Sequence, residues 1–379
     1  MFRRKRAKEK CRDISRMIIA GGGTGGHLFP GIAIGGEVRR RYPGSDVIFL
    51  TGGRGIESDI LIKSGFQQIR IRAEGLKGAG WKKGLKSMLK LPYGLSQALT
   101  AIFRLSPQVV IGVGGYSSGP VCLAAKMTGI PTAIHEQNSF PGLTNRLLCR
   151  VVDRVFISFE ESRAHFSGGN IIYTGNPVRQ EFFKGKESHG ESERRFTILV
   201  TGGSQGATAI NRAFAGALRI LRERGLEPEV IHHSGWRDFD RVVSEYREKG
   251  LQGNIFPFIE DMPGAYRQAD IVIGRAGAGS IFELAAAGKP SILIPYPHAA
   301  NNHQEYNARA LAEINGAEVI SQDKLGPGVL ADTLIKYMDD RGSLREMGHN
   351  ARKLAKRDAP EIIVDQLEEM VMARAGSGK

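Results

Sequence analysis

The sequence predicts an α/β protein built from two doubly wound, Rossmann-like parallel-sheet domains in tandem. Two glycine-rich turns of like construction carry the prediction, Ile18-Ile-Ala-Gly-Gly-Gly-Thr-Gly-Gly-His27 and Ile198-Leu-Val-Thr-Gly-Gly-Ser-Gln-Gly-Ala207, nearly half a chain apart. Each follows a short apolar strand and runs into a helical stretch, so a helix N-terminus can present free backbone N–H groups to an anion such as phosphate. A chain of 379 residues is also too long for one core, and its 41% apolar and 24% charged residues are ordinary for soluble α/β proteins.

The elements follow in order. A helix runs from the first turn to about Arg41, Asp46–Leu50 reads as a strand, and Gly52-Gly-Arg-Gly55 leads into a second helix. Apolar runs at Val109–Val113, Thr132–Ile134, Val155–Ile157 and Ile171–Tyr173 recur at helical separations, the pattern of a parallel sheet covered on both faces. The polar stretch 184–195 breaks this rhythm and predicts a linker over 179–195. Strands resume at Thr197–Val200, Glu229–His232, Ile271–Gly274 and Ser291–Pro295. The expected domains are 17–178 and 196–350. A basic, disordered extension is expected over 1–16, and a C-terminal helix and tail, 351–379, packing back toward the first domain. Ligands of such sheets sit beyond the carboxyl ends of the strands, so both glycine turns are expected to line one deep cleft between facing domains.

Charge is unevenly spread. Of the net +14, about twelve charges fall in residues 1–16 and 70–92. In the second segment Trp81, Leu85, Met88 and Leu89 recur at helical spacing beside Lys82, Lys83, Lys86 and Lys90. That pattern fits an interfacial element whose apolar side chains enter an anionic leaflet while each lysine contributes roughly 1 kcal/mol; it equally fits a helix packed on its own domain with lysines in water. Nucleic acid is disfavoured as a partner, because the segment has one aromatic residue and no recognised binding motif. No apolar run reaches bilayer length, and Met17–Ala20 is too short for a signal peptide's apolar region. Three cysteines without paired spacing, Cys11, Cys122 and Cys149, support neither a disulfide framework nor a zinc site and fit a reducing cytoplasm.

Gly21–Gly26 satisfies the spacing G-x-G-x-x-G, but the acid that should close the second strand and bind a ribose is missing, since that strand ends at Leu50-Thr51. A dinucleotide oxidoreductase is disfavoured, and no P-loop is present. Asp238-Phe-Asp240 is a literal D-x-D, yet it reads as the start of a surface helix, where residues two apart face different ways. No metal or other cofactor is expected.

Five further segments are more distinctive: Gly114-Gly-Tyr-Ser-Ser-Gly-Pro120, His135-Glu-Gln-Asn138, Gly175-Asn-Pro-Val-Arg179, Phe258-Ile-Glu-Asp-Met262 and Gly277-Ala-Gly-Ser-Ile-Phe-Glu283. From about Met17 to past Ala308 their identity and order resemble the MurG family of glycosyltransferase family 28. The resemblance implies a GT-B fold and inverting transfer of N-acetylglucosamine from UDP-GlcNAc to the C4 hydroxyl of undecaprenyl-diphosphate-MurNAc-pentapeptide (lipid I), giving lipid II at the cytoplasmic face of the membrane. Implied partners are UDP-GlcNAc, lipid I and an anionic membrane surface, with Trp81, Lys82, Lys83, Leu85, Lys86, Met88 and Leu89 as the docking candidate. Another GT-B activity on UDP-GlcNAc, with a different lipid acceptor or a 2-epimerase chemistry, is the alternative; a non-catalytic UDP-sugar-binding role predicts tolerance of His27→Ala.

Such a transfer needs a base for the acceptor hydroxyl and positive charge for the leaving diphosphate. Ala278, Gly279 and Ser280 open a helix whose N–H groups suit the diphosphate. By resemblance Glu283 binds the ribose hydroxyls; Ser280 to Glu283 is also a capping-box pattern in which Glu283 merely satisfies an N-cap amide. The resemblance further assigns the main chain of Ile259 to uracil, Ser204 and Arg179 to nucleotide and phosphates, and Gln304 and Asn138 to sugar hydroxyls. Thr24, Gly25 and Gly26 are set among the UDP-GlcNAc contacts and, with Gly114, Gly115, Tyr116 and Ser117, border the acceptor diphosphate or sugar. His27, titrating near neutrality, is the leading base and Glu136 its rival, which would need burial to raise its pKa.

Overall fold

A computed structural model describes residues 13–23, 25–52, 56–71, 81–184, 195–203 and 206–377, with 56, 81–91 and 377 described through their backbone alone. The chain divides into two compact units, Met1–Val178 with Lys356–Lys379, and Arg179–Ala355. Each carries one wholly parallel sheet.

Unit 1 holds seven strands: β1 (Arg16–Ala20), β2 (Asp46–Thr51), β3 (Gln67–Arg70), β4 (Val109–Gly112), β5 (Thr132–Glu136), β6 (Arg154–Ile157) and β7 (Ile171–Tyr173), in the order β3-β2-β1-β4-β5-β6-β7. Period-two alternation on β1 feeds two cores. Met17 and Ile19 join Phe49, Ile111 and, from the far end of the sequence, Ile363, Val364 and Leu367, while Ile18 and Ala20 join Ile102, Val110 and Val121. Helix α1 (Gly25–Arg41) lies close to the sheet because Gly31 and Gly35 face it; a Cβ on Gly31 would sit 3.1 Å from both Ile19 and Phe49. Helices α2 (Ile56–Lys63), α3 (Trp81–Leu105), α4 (Ser118–Met127) and α5 (Leu143–Leu148) make the remaining crossovers.

Unit 2 holds β8 (Thr197–Thr201), β9 (Glu229–His233), β10 (Asn254–Phe256), β11 (Ile271–Gly274), β12 (Ser291–Leu293) and β13 (Glu318–Val319), ordered β10-β9-β8-β11-β12-β13. Its helices are α6 (Thr208–Glu223), α7 (Phe239–Glu248), α8 (Met262–Gln268), α9 (Ala278–Ala287), α10 (His303–Ala312), α11 (Pro327–Asp339) and α12 (Arg341–Arg352). The core joins β8 and β11 to Ile210, Phe214 and Leu218 of α6 and Leu330 and Leu334 of α11.

Two findings differ from the sequence expectation, at residues 179–184 and at Asp238. Residues 179–184, expected in a linker, belong to unit 2: Phe182 is buried and meets Tyr266 edge-on with ring centroids 5.4 Å apart. The last helix, α13 (Ala359–Ser377), belongs to unit 1, where Arg41 donates to Glu368 at 2.9 Å and Arg154 to the Gln366 carbonyl at 2.8 Å. Asp238 is not a surface residue; it is buried ahead of α7 and accepts from Asn211 Nδ2 at 2.9 Å and from Arg241 at 3.0 Å. Among the described residues no group of three His, Cys, Asp or Glu side chains gathers as a metal site.

Candidate functional site

In both units the strand order reverses beside the first strand, between β1 and β4 and between β8 and β11. Glycine loops follow all four of these strands, and such switch points are where open α/β sheets bind ligands.

In unit 1 the two loops touch. Gly115 has φ +81°, and a Cβ there would lie 2.2 Å from the Gly22 carbonyl oxygen; one on Gly21 would lie 2.6 Å from that of Gly114. Close backbone approach therefore requires glycine on both sides. Ser118 Oγ, within bonding distance of the Ala20 carbonyl (2.8 Å) and the Gly114 carbonyl (2.7 Å), ties the strands beneath. Gly25, Gly26 and His27 form the first turn of α1, and the His27 ring lies over Gly114, where a Cβ would approach its Cδ2 to 2.7 Å. Tyr116 is 46% exposed at the rim, whereas Ser117 is buried at the N-terminus of α4 with its Oγ unbonded. Thr24 lies outside the described residues.

The rival base has a different occupation. Glu136, 2% exposed, accepts four hydrogen bonds: from Asn138 N (3.0 Å) and Nδ2 (3.1 Å) on one oxygen, and from Gly142 N (3.1 Å) and Asn145 Nδ2 (2.8 Å) on the other. These four donors occupy the lone pairs a base would need, so Glu136 acts here as a staple that shapes the loop bearing Asn138, not as a base. Sequence reading also missed two neighbours, for which residue type alone carried no signal. Gln137 donates to the Val113 carbonyl at 2.9 Å, joining β5 to the β4 loop. His135 is wholly buried between Gln137, Ser158 and the Gly175 carbonyl, and burial pushes its pKa down to about 4.

In unit 2 the N-terminus of α9 stands at the switch point. Gly277 occupies the N-cap position, and Ala278, Gly279 and Ser280 form the first turn. A capping box would need Ser280 at the N-cap; it sits three positions inside the helix, so that role for Glu283 is excluded. Glu283 is instead half-buried, with burial raising its pKa to about 7 against the opposing pull of Arg179. Arg179 is stacked on Phe182 with its guanidinium carbon 5.1 Å from the ring centroid. Gln304, in the first turn of α10, accepts from Tyr296 N at 3.0 Å, which leaves its amide group as a donor. Asn307 holds the other side of the switch by donating to the Ala276 carbonyl at 3.1 Å. Ile259 lies in the segment following β10, ahead of Asp261, which caps α8 by accepting from Gly264 N at 2.9 Å. Ser204 and the side chains of 81–91, including every membrane-docking candidate, lie outside the described residues; the backbone of 81–91 is helical. A cavity of about 760 Å³ between Phe182, Lys289 and Arg345 lies at the opposite end of α9 and is lined by none of the site residues expected from the sequence.

Comparison with known proteins agrees across both units. The glycosyltransferase family 28 N-terminal domain matches residues 17–157 and its C-terminal domain residues 197–363. The UDP-N-acetylglucosamine--N-acetylmuramyl-(pentapeptide) pyrophosphoryl-undecaprenol N-acetylglucosamine transferase of Syntrophus aciditrophicus is 44% identical over 94% of this chain and 99% of its own length. The protein of the same name from Geobacter sulfurreducens is 41% identical over 93% and 98%. The crystal structure of Acinetobacter baumannii MurG superposes with a TM-score of 0.76 at 30% identity, covering 93% of this chain and 99% of that one. A UDP-N-acetylglucosamine 2-epimerase shares the fold at 12% identity and a TM-score of 0.65. With two glycine-loop switch points and full-length relatives of one name, the chain belongs to glycosyltransferase family 28, within its MurG branch.

Proposed function

We propose that this protein moves N-acetylglucosamine from UDP-GlcNAc to the C4 hydroxyl of lipid I with inversion, forming lipid II and releasing UDP. The observation that carries the reading is full-length kinship with transferases of that name; the two switch points supply residues for both halves of the chemistry. Unit 2 takes the donor: the N–H groups of Ala278, Gly279 and Ser280 face the diphosphate, Glu283 accepts from the ribose hydroxyls, the Ile259 main chain reads uracil, and Arg179 and Gln304 meet phosphate and sugar. Unit 1 takes the acceptor along Gly114–Ser117. His27 removes the C4 hydroxyl proton as the O4–C1 bond forms and the bond from C1 to the β-phosphate oxygen breaks, leaving the electron pair and charge on UDP at the α9 N-terminus.

Transfer without a metal is part of the proposal, with the helix dipole and Arg179 carrying the diphosphate charge. The test is turnover of radiolabelled UDP-GlcNAc with a lipid I analogue in EDTA, beside an acceptor-free control. Lipid-linked disaccharide in EDTA is expected. Product that needs added divalent cation overturns the metal-free step, and UDP release or epimerisation without acceptor moves the chain to the epimerase class.

No described helix is long and apolar enough to cross a membrane. The acceptor carries a polyprenyl chain, so the enzyme must meet the bilayer peripherally, on the cytoplasmic face where UDP-GlcNAc is made available. The segment from Trp81 to Leu91 supplies lysines and apolar residues for it. Replacing Lys82, Lys83 and Lys86 by Glu is expected to weaken binding to anionic vesicles and to spare UDP binding; unchanged vesicle affinity removes this placement.

A further inference from the structure

In unit 2, β9 lies between β8 and β10, and its last residue, His233, pairs in register with Thr201 on one side and Phe256 on the other. The imidazole thus sits between the loops those neighbours feed: the glycine turn beyond β8, and the segment 257–261 that carries Ile259. It is 4% exposed. Its Nδ1 lies 3.1 Å from Thr201 Oγ1, and that oxygen already accepts the Gly203 N–H at 3.2 Å. The hydroxyl has no other acceptor among the described residues, so its proton goes to Nδ1 and the imidazole hydrogen resides on Nε2.

Nε2 is buried and closes no well-aligned hydrogen bond. The Pro257 carbonyl acts on the ring as a hydrogen-bond acceptor, and burial, the larger effect, lowers the pKa. Phe258 stands edge-on to the imidazole, centroids 6.0 Å apart at 86°. The ring thus stands between Thr201 Oγ1 and the Pro257 carbonyl, which belongs to the segment assigned to the nucleotide base.

We propose that His233 is a positioning residue for the donor nucleotide: bridging Thr201 Oγ1 and the Pro257 carbonyl, it holds the base-reading backbone at Ile259 to the phosphate loop anchored through Thr201. The inference rests on the donor assignment above and adds to it a link between base recognition and phosphate recognition. Because the link acts far from the breaking bond, it strengthens binding of ground state and transition state alike and is read in KM rather than kcat.

The amide oxygen of Asn reproduces Nδ1, and the amide nitrogen of Gln reproduces Nε2. His233→Ala and His233→Asn are expected to raise the KM for UDP-GlcNAc and the Kd for UDP about tenfold, the size of one well-placed hydrogen bond, with kcat within about twofold and the acceptor KM unmoved. His233→Gln restores most of the loss. Unchanged donor KM in the Ala and Asn variants overturns the proposal, as does failure of the Gln variant to recover. Should the His233 variants not fold, Thr201→Val against Thr201→Ser reads the same link: Val raises the donor KM and Ser does not, and equal values overturn it. Absence of UDP binding by the unsubstituted protein overturns the donor assignment itself, and this inference with it.

Discussion

Glu283 enters the unliganded protein largely able to hold a proton, and that makes donor binding a proton-linked event. Its pKa stands near 7 against a usual 4.5, a difference that corresponds to at most about 3 kcal/mol between the charged and neutral forms, less because the residue is only partly buried. Two ribose hydroxyls donate to a carboxylate but not to a neutral acid in the same way, so UDP selects the ionised form and binding expels the proton. From a pKa near 7, about 0.9 proton per site leaves at pH 6 and about 0.1 at pH 8. Calorimetric titration of UDP in buffers of differing ionisation enthalpy reads this number directly. The UDP phosphate contributes protons of its own, so the informative quantity is the native protein minus Glu283→Gln, which retains the phosphate contribution. Equal proton release by the two proteins at pH 6 refutes the reasoning. The same group acts on stability with a defined sign. Between pH 4.5 and about 7 the folded state binds the proton that the unfolded state has lost, so Glu283 costs unit 2 stability progressively as pH rises through that window, and Glu283→Gln removes the slope.

His27→Ala is expected to lower kcat by about 10²- to 10⁴-fold while UDP affinity stays as it was, because His27 and the donor residues belong to different units; retained turnover excludes His27 as the base. Glu136→Gln puts an amide group where four donors converge and is expected to cost about 2–3 kcal/mol in denaturant unfolding, with the acid limb of the pH–rate profile kept; loss of that limb returns Glu136 to the role of base. His135, neutral and buried with a pKa near 4 against 6.5 unfolded, makes unit 1 acid-sensitive: stability is lost as pH falls below 6.5, by about 3 kcal/mol at pH 4, and urea midpoints of the native protein and His135→Asn should converge as the pH drops.

The centres of both sheets were legible in the sequence because parallel strands buried on both faces are written as unbroken apolar runs; Val109–Gly112 falls within its expected run and Ile271–Gly274 appears with the ends expected. Of the four edges only Ile171–Tyr173 was legible. Gln67–Arg70, Asn254–Phe256 and Glu318–Val319 border solvent, are two to four residues long, and carry too few apolar side chains to stand out. Site residues were legible as an ordered set of motifs but not as roles. Nothing in His-Glu-Gln-Asn says that the glutamate is saturated by four donors, since three of those come from Asn138 and Gly142 through loop geometry and one from Asn145 on α5. The Ser280–Glu283 spacing fits a cap until the helix is seen to begin beyond Gly277. His233 lies one residue past the strand Glu229–His232 read from the sequence, and its meaning depends on which strands flank it.

The C-terminal helix closes the core of unit 1, which begins at the other end of the chain, and this has a bearing on synthesis. Met17, Ile19 and Phe49 emerge first but find Ile363, Val364 and Leu367 only when translation is nearly complete. Everything unit 2 needs lies in the uninterrupted stretch from Arg179 to Ala355. The nascent chain can therefore finish its nucleotide-binding half while the acceptor half still waits for its last helix, and a premature stop between Lys356 and Ile363 yields a protein whose second unit is whole and whose first is left with an open apolar face.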